Sequence, residues 1–325
     1  MASEAALVTA RSLGIDAVAA EVVRCLDAAG VPSLLFKGAA TARWLYGDGA
    51  PRPYDDVDLL VSPATAQAAA AALRRLGFSG EYDDDAPISY GIALHHASTW
   101  QRPGTVAPVD LHGTIAGCRA SDERVWTALS SGAEAMTLAG TTVRVPGRSG
   151  RLLIVCLHAA AHGTGEPRPI EDLKRALAQT SEQEWRAAVD VARELEAEAS
   201  FNAGLRLDPL GAAVASRLGL PSEVPAAVAL RAGDRPYGSG ALFHLRTQRG
   251  LARKAAVLRE ALAPSADYLQ ANYPMARRGR MGRAAVRVLR LGRLLRHLPA
   301  ASRAVRKAQA EPSAETDLTQ PVGRP

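Results

Sequence analysis

The stretch that decides the fold is Ser33 to Val61, SLLFKGAATARWLYGDGAPRPYDDVDLLV. It opens with a short apolar run, Ser33 to Phe36, and closes with another, Val57 to Val61. Both have the length of strands rather than helices. Between them Lys37-Gly38 makes a turn, and Ala39 to Tyr46 reads as a helix. Asp56 and Asp58 stand at the mouth of the second strand. Side chains two apart in a strand share a face, so these two carboxylates point the same way. Like charges at that spacing repel unless a hard divalent cation, which takes carboxylate oxygens, lies between them. Without a cation, Asp55, Asp56 and Asp58 only decorate a loop–strand junction.

Upstream, Asp16 is placed to cap a helix running to Ala29, with Val18, Val22 and Leu26 on one side and Gly30 as its stop. A helix followed at once by a strand is the packing unit of an α/β layer. Downstream, Pro63 begins a helix with Ala69, Ala72, Leu73 and Leu76 as its apolar stripe, and Gly77 ends it. Asp83-Asp84-Asp85 reads as a solvated turn. Ile88 to Ala97 and Val106 to His112 read as an antiparallel pair of strands joined through Pro103-Gly104. In the second of these, Asp110 and His112 share one face. Thr141 to Val145 is a last strand. After Arg151 the pattern becomes helical, over Leu152 to Ala161, Ile170 to Ala178, Glu182 to Ala199, Leu210 to Leu218, Ser222 to Arg231 and Leu242 to Leu262. The expected class is α/β (α+β): residues 1–145 form a mixed sheet with flanking helices, and 146–309 form an all-helical domain with a basic last helix. Residues 310–325, polar and proline-rich, are expected to be disordered.

Apolar residues make up 47% of the 325, enough for a real core, while aromatics are only 5%, so Ala, Leu and Val carry the packing. Cys25, Cys118 and Cys156 are too widely spaced for a zinc set, which points to a reducing, cytoplasmic setting. No basic-then-apolar leader opens the chain, so no signal peptide is expected. No run of 18 apolar residues is present, so no membrane span is expected. The formal charge of +6 is uneven. Arg277 to Lys307 holds eleven of the 39 basic residues and no acid, leaving 28 basic against 33 acidic residues elsewhere. The overall pI therefore gives no reason to expect nucleic acid as a partner. The basic segment lacks aromatics for base stacking. Packing of Val286, Leu289, Leu294, Leu295 and Leu298 against the body is the expected explanation of its pattern.

Three carboxylates are candidates for the chemistry: Asp56, Asp58 and Asp110. Neighbouring strands lie about 4.8 Å apart, so acids on two of them can gather around one or two Mg²⁺ ions. The Lys37-Gly38 turn precedes a helix start, where backbone N–H groups attract phosphate. Lys37 offers a point charge, Gly38 permits close backbone approach, and Arg43 and Arg52 offer planar clamps. His158 and His162 are four apart on one helix face and, with Asp172, form a weaker metal candidate. They lack the glutamate of an H-E-x-x-H site, so structural or substrate-contact roles suit them better.

The run FKGAATARWLY, then RPYDDVDLLV, then VDLH about fifty residues on, resembles the uncharacterised nucleotidyltransferases of bacterial biosynthetic gene clusters. These are distant members of the DNA polymerase β-like superfamily. The likeness extends through His158, His162 and Asp172 to APSADYLQANYP at Ala263 to Pro274. It implies Mg²⁺- or Mn²⁺-dependent transfer of a nucleoside monophosphate from an NTP, with ATP the expected donor, to a small-molecule or peptide acceptor, releasing pyrophosphate. It implies that Asp56, Asp58 and Asp110 hold metal and that Lys37, Gly38, Arg43 and Arg52 hold the nucleotide. His112 matches a histidine that follows the third carboxylate. Ala39 follows Gly38 where the superfamily usually has a serine, so this turn supplies no hydroxyl to the triphosphate. His112, His158, His162, Arg168 and Asp172 are expected to line or support the acceptor site. Two rivals remain: a non-catalytic nucleotide-binding or regulatory protein on the same fold, and a metal-dependent phosphoester hydrolase.

Overall fold

The structure, a computed structural model, describes residues 4–47, 50–80, 97–224, 236–247, 250–264, 266, 269–270 and 273–310. The described chain divides into two compact units, one ending at Ser222 and the other starting at Glu223.

The first unit is built on a five-stranded mixed sheet with the order β1-β2-β5-β4-β3. Its strands are β1 (Ser33–Leu35), β2 (Val57–Val61), β3 (Ser79–Gly80), β4 (Ala97–Gln101) and β5 (Val109–His112). β2 pairs antiparallel with β1 and parallel with β5, and β5 pairs antiparallel with β4. The two central strands are VDLLV and VDLH, so each carries one acid in an otherwise apolar setting. The register sets Asp58 opposite Asp110 and Leu60 opposite His112.

Alternation divides the sheet between two cores. Leu35, Val57, Leu59, Val61, Val109 and Leu111 face α1 (Glu4–Ala28) and α3 (Ala66–Arg75). Leu34, Phe36 and Leu60 face a second core supplied by α4 (Asp122–Ser131), α5 (Arg148–His162), α6 (Pro167–Gln179), α7 (Glu182–Glu194), α8 (Glu198–Leu205) and α9 (Pro209–Arg217). Each of these buried side chains is worth about 1.5–3 kcal/mol against exposure. Residue 145 therefore marks the end of the strand pattern rather than the edge of a compact unit. Helices α5 to α9 cover the sheet face that carries Asp58, and the unit continues to Ser222.

Several local expectations change. α1 starts at Glu4, so Asp16 lies inside it; its buried carboxylate accepts from Tyr54 Oη at 2.6 Å and Arg43 Nη2 at 2.6 Å. The first strand of the expected pair extends past Ala97 to Gln101 as β4. α4 and the ribbon of β6 (Glu134–Leu138) with β7 (Thr141–Val145) add to the expected elements. Leu138, Val143 and Val145 of that ribbon join the core beneath α1. At the crossing of α5 and α8, a Cβ on Gly204 would stand 1.9 Å from the Cys156 carbonyl oxygen, so only glycine permits this approach. The expectations for the Asp83-Asp84-Asp85 turn, most of the strand at 88–97, His95-His96, most of the helix at 222–231 and the tail from 311 fall outside the described residues.

The second unit contains helices Ser239–Thr247, Leu251–Leu262 and Gly279–Ala310. Within the last of these, Val286 packs with Leu269, Ala276 and Tyr273. Leu289, Leu295 and Leu298, expected to pack as well, are exposed. No helix among the described residues is long and apolar enough to cross a membrane.

Candidate active site

The central strand pair places Asp58, Asp110 and His112 with one donor atom of each within 4.8 Å of the others. Among the described residues this is the only group of three acids, cysteines or histidines so arranged. Asp58 and His112 are buried and Asp110 is partly buried, all on the sheet face covered by α5 to α9. A buried acid in the middle of a central strand contributes nothing to packing, and burial opposes its charge.

Neighbouring groups offset part of that cost for Asp58. Its Oδ1 accepts from Lys37 Nζ at 3.2 Å and lies 2.9 Å from His112 Nε2. Burial works against the ionised form, yet Lys37 and His112 hold the carboxyl well below the usual carboxylate range. The His112 ring also meets Phe36 edge-on, with centroids 4.8 Å apart, which fixes its plane. Asp110 is different: its Oδ1 is buried and has no hydrogen-bond partner. Buried polar atoms nearly always have one, and an orphaned carboxylate oxygen is especially costly. Asp56 is pushed up to about 6, first by burial and then by the charges of Asp58 and Asp110, with Lys37 opposing. The charges of Asp58 and Asp110 thus reach Asp56, although Asp56 is not one of the three residues whose donor atoms converge; His112 takes the place expected for it. This donor set, rich in carboxylate oxygen, fits a hard divalent cation.

The turn before α2 (Ala39–Leu45) carries Lys37 and Gly38 to the same place. Gly38 has φ +50°, a left-handed conformation that favours glycine, and a Cβ there would lie 3.5 Å from the Asp56 carbonyl oxygen. α2 has only seven residues.

The two arginines expected as triphosphate clamps are committed elsewhere. Arg43 pairs with Asp16 of α1. Arg52 is buried and forms a bidentate pair with Asp172, Nε to Oδ1 at 2.7 Å and Nη2 to Oδ2 at 2.6 Å. Its Nη1 donates to the Gly38 carbonyl oxygen at 3.4 Å. Tyr46 Oη donates to Asp172 Oδ1 at 2.8 Å. Asp172 is thus a buried anchor rather than a partner of the two histidines, and it ties α6 to the Lys37-Gly38 turn through Arg52. Tyr46 and Tyr54, which join these networks through their hydroxyls, were not among the expected site residues. Their signal was that two tyrosines in apolar segments need partners for their hydroxyls.

His158 and His162 stack edge-on at 4.6 Å, and His162 Nδ1 lies 3.0 Å from Glu166 Oε1. Arg168 reaches exposed Asp55 at 3.6 Å. Burial, then the positive charge of Lys37, then His162, push His158 down to about 3. It is neutral at pH 7 and far from the pKa of an efficient general base. A histidine favoured neutral in the fold gives its full stabilisation above its unfolded pKa of about 6.5, and loses it as pH falls from there toward 3. Between pH 6.5 and 5 the loss from this group is about 1–2 kcal/mol. Urea unfolding with EDTA present is expected to show that slope in the native chain and a flatter one in His158→Gln. Equal slopes would remove the assignment.

The mixed sheet, with acids in register across two neighbouring strands and helices on both faces, defines the chain first as an α/β protein. The family model described as "Uncharacterised nucleotidyltransferase" matches residues 1–209, and the chain belongs to that family. Six chains of solved structures match. One is the antibiotic-resistance factor ANT(2'')-Ia, 14% identical over 55% of this chain and 90% of that one, with a TM-score of 0.40. Another is an antigenic nucleotidyltransferase-like protein from Paracoccidioides brasiliensis, 17% identical over 58% of this chain and 92% of that one, with a TM-score of 0.36. No curated protein matches.

Proposed function

We propose that this protein transfers a nucleoside monophosphate from an NTP, with ATP the first choice, to a small-molecule or peptide acceptor. The acceptor oxygen bonds to the α-phosphorus, the bond from that phosphorus to the bridging oxygen breaks, and pyrophosphate leaves. The observation that carries this reading is the orphaned, buried Oδ1 of Asp110 beside Asp58 in register. Asp56, Asp58 and Asp110 are the residues to hold Mg²⁺ or Mn²⁺. Such an ion supplies charge neutralisation at the transferred group and lowers the pKa of an attacking hydroxyl.

The remaining roles belong to the chain itself. His112 orients Asp58 through its 2.9 Å contact, as second partners do for ligating groups. Lys37, now on Asp58, is a quarter exposed and long enough to turn toward a triphosphate. Gly38 keeps the backbone open to phosphate approach. Arg52 and Asp172 act as positioning residues for that turn rather than as a clamp. The neutral His158, with His162 and Arg168, supplies the acceptor side with hydrogen-bonding groups.

The test is an NTP panel with Mg²⁺ or Mn²⁺ against cell extract, with mass spectrometry seeking an added nucleoside monophosphate. An adduct that disappears in Asp56→Asn/Asp58→Asn is expected. In the same assay His162→Ala is expected to raise the acceptor KM while leaving NTP affinity nearly unchanged. An adduct persisting in the double variant sinks the mechanism. NTP hydrolysis without any adduct points to a phosphoester hydrolase, and nucleotide binding without turnover to a regulatory protein.

A further inference from the structure

Helix Gly279–Ala310 has 32 residues and so runs about 48 Å. Its inward side is fixed by close packing. A Cβ on Gly282 would stand 2.0 Å from the Met275 carbonyl oxygen, and Val286 is buried among neighbours of the same unit. With that side fixed, the opposite side carries Met281, Val288, Leu291, Leu295 and Leu298, exposed by 87%, 70%, 44%, 62% and 48%. Their steps of seven, three, four and three residues put them on one helical stripe. Leu289, exposed by 63%, lies off this stripe, but five in line exceed the ordinary scatter of exposed aliphatics. On a helical projection Arg280 and Arg287 border one edge of the stripe, and Arg296 and Arg303 border the other. No acid lies anywhere between Arg277 and Lys307.

A second copy of this helix would oppose arginine to arginine with no acid to relieve it. Nucleic acid would satisfy the arginines and leave the aliphatic stripe facing polar backbone, with no Phe, Tyr or Trp in the helix to stack on bases. A surface that is anionic at its face and apolar just beneath matches both features. Aliphatic side chains enter the acyl boundary while flanking arginines reach phosphates at the headgroup level. We propose that the outward face of helix Gly279–Ala310 docks this protein on an anionic phospholipid bilayer, lying in the interface rather than crossing it. Attraction to an anionic leaflet adds to apolar insertion and falls with salt.

The test is co-sedimentation of the full chain with vesicles of phosphatidylcholine alone, or with 30% phosphatidylglycerol, at about 0.1 and 0.5 M salt, where screening differs by about twofold in length. Binding to the anionic vesicles at least tenfold tighter than to neutral ones, and weakened at high salt, is expected. Val288→Ser/Leu295→Ser is expected to lose at least tenfold with an unchanged thermal midpoint, because both sites are exposed. Arg296→Gln/Arg303→Gln is expected to lose the preference for anionic lipid. Failure of the native chain to bind either vesicle overturns the proposal. So does full vesicle binding by the serine variant, or displacement of the chain from vesicles by equimolar duplex DNA, which would make this a polyphosphate surface.

Discussion

Asp110→Asn and Asp58→Asn are each expected to lower nucleotidyl transfer by about 10³-fold while leaving the protein folded. The size follows from the proposed metal-holding role, in which a bound ion would supply several kcal/mol at the transition state, with about 1.4 kcal/mol per factor of ten. The stability half of the prediction distinguishes a catalytic acid from a packing residue. Asp110 Oδ1 has no partner to lose, and its charge repels Asp56 and Asp58. Removing that charge is expected to leave the thermal midpoint of the metal-free protein unchanged or raised. For Asp58→Asn the ion pair to Lys37 and the contact to His112 are weakened, so a small fall is expected there. Pyrophosphate release and a thermal melt with EDTA, on the same preparations, check both halves. A large fall in midpoint for Asp110→Asn with turnover retained would make Asp110 structural.

Breaking the Arg52–Asp172 pair is expected to have the largest effect on stability. Both side chains are nearly fully buried, and burial of the guanidinium is tolerated because Asp172 meets it twice. Arg52→Ala or Asp172→Ala leaves one buried charge without its partner, which costs about 3–5 kcal/mol. At about 2–4 °C per kcal/mol for a unit of this size, the midpoint should fall by about 10 °C. Arg52→Met/Asp172→Leu removes both charges and is expected to recover part of the loss, although Tyr46 then loses its acceptor. A fall of less than about 2 °C in both single variants would show that the pair contributes little. Turnover in Arg52→Lys at a temperature where it is folded tests positioning. Lysine keeps the charge but lacks the planar fork, so the Lys37-Gly38 turn should loosen and the NTP KM should rise.

Much of this was legible in order along the chain, for identifiable reasons. Gly38 and the short apolar runs on either side of α2 punctuate the first unit clearly. Strand alternation put Asp110 and His112 on one face. Their register opposite Asp58 and Leu60 depends on which strands pair, and local pattern does not contain that. Asp16 was misplaced because an aspartate before an apolar stripe looks like a cap, whereas its role comes from Arg43 and Tyr54 across the fold. Arg52 was expected to grip phosphate because its true partner lies 120 residues away. α4 did carry a signal, with Ser121 capping and Val125 and Leu129 four apart. β6 is mostly exposed and gave little alternation to detect.

The Arg52–Asp172 pair has a consequence for heredity. Neither position can drift alone, because each single change strands a buried charge, while a joint change to apolar residues is tolerable. In chains descended from a common ancestor these two sites should change together or not at all. The coupled change would have to pass through an intermediate that is poorly folded. A tyrosine at position 46 should accompany the acid, since its hydroxyl has reason to be there only while Asp172 accepts from it. The turn that carries Lys37 is in this sense written partly in α6, and a lineage that rebuilt α6 freely would alter the surroundings of Asp58 without touching them.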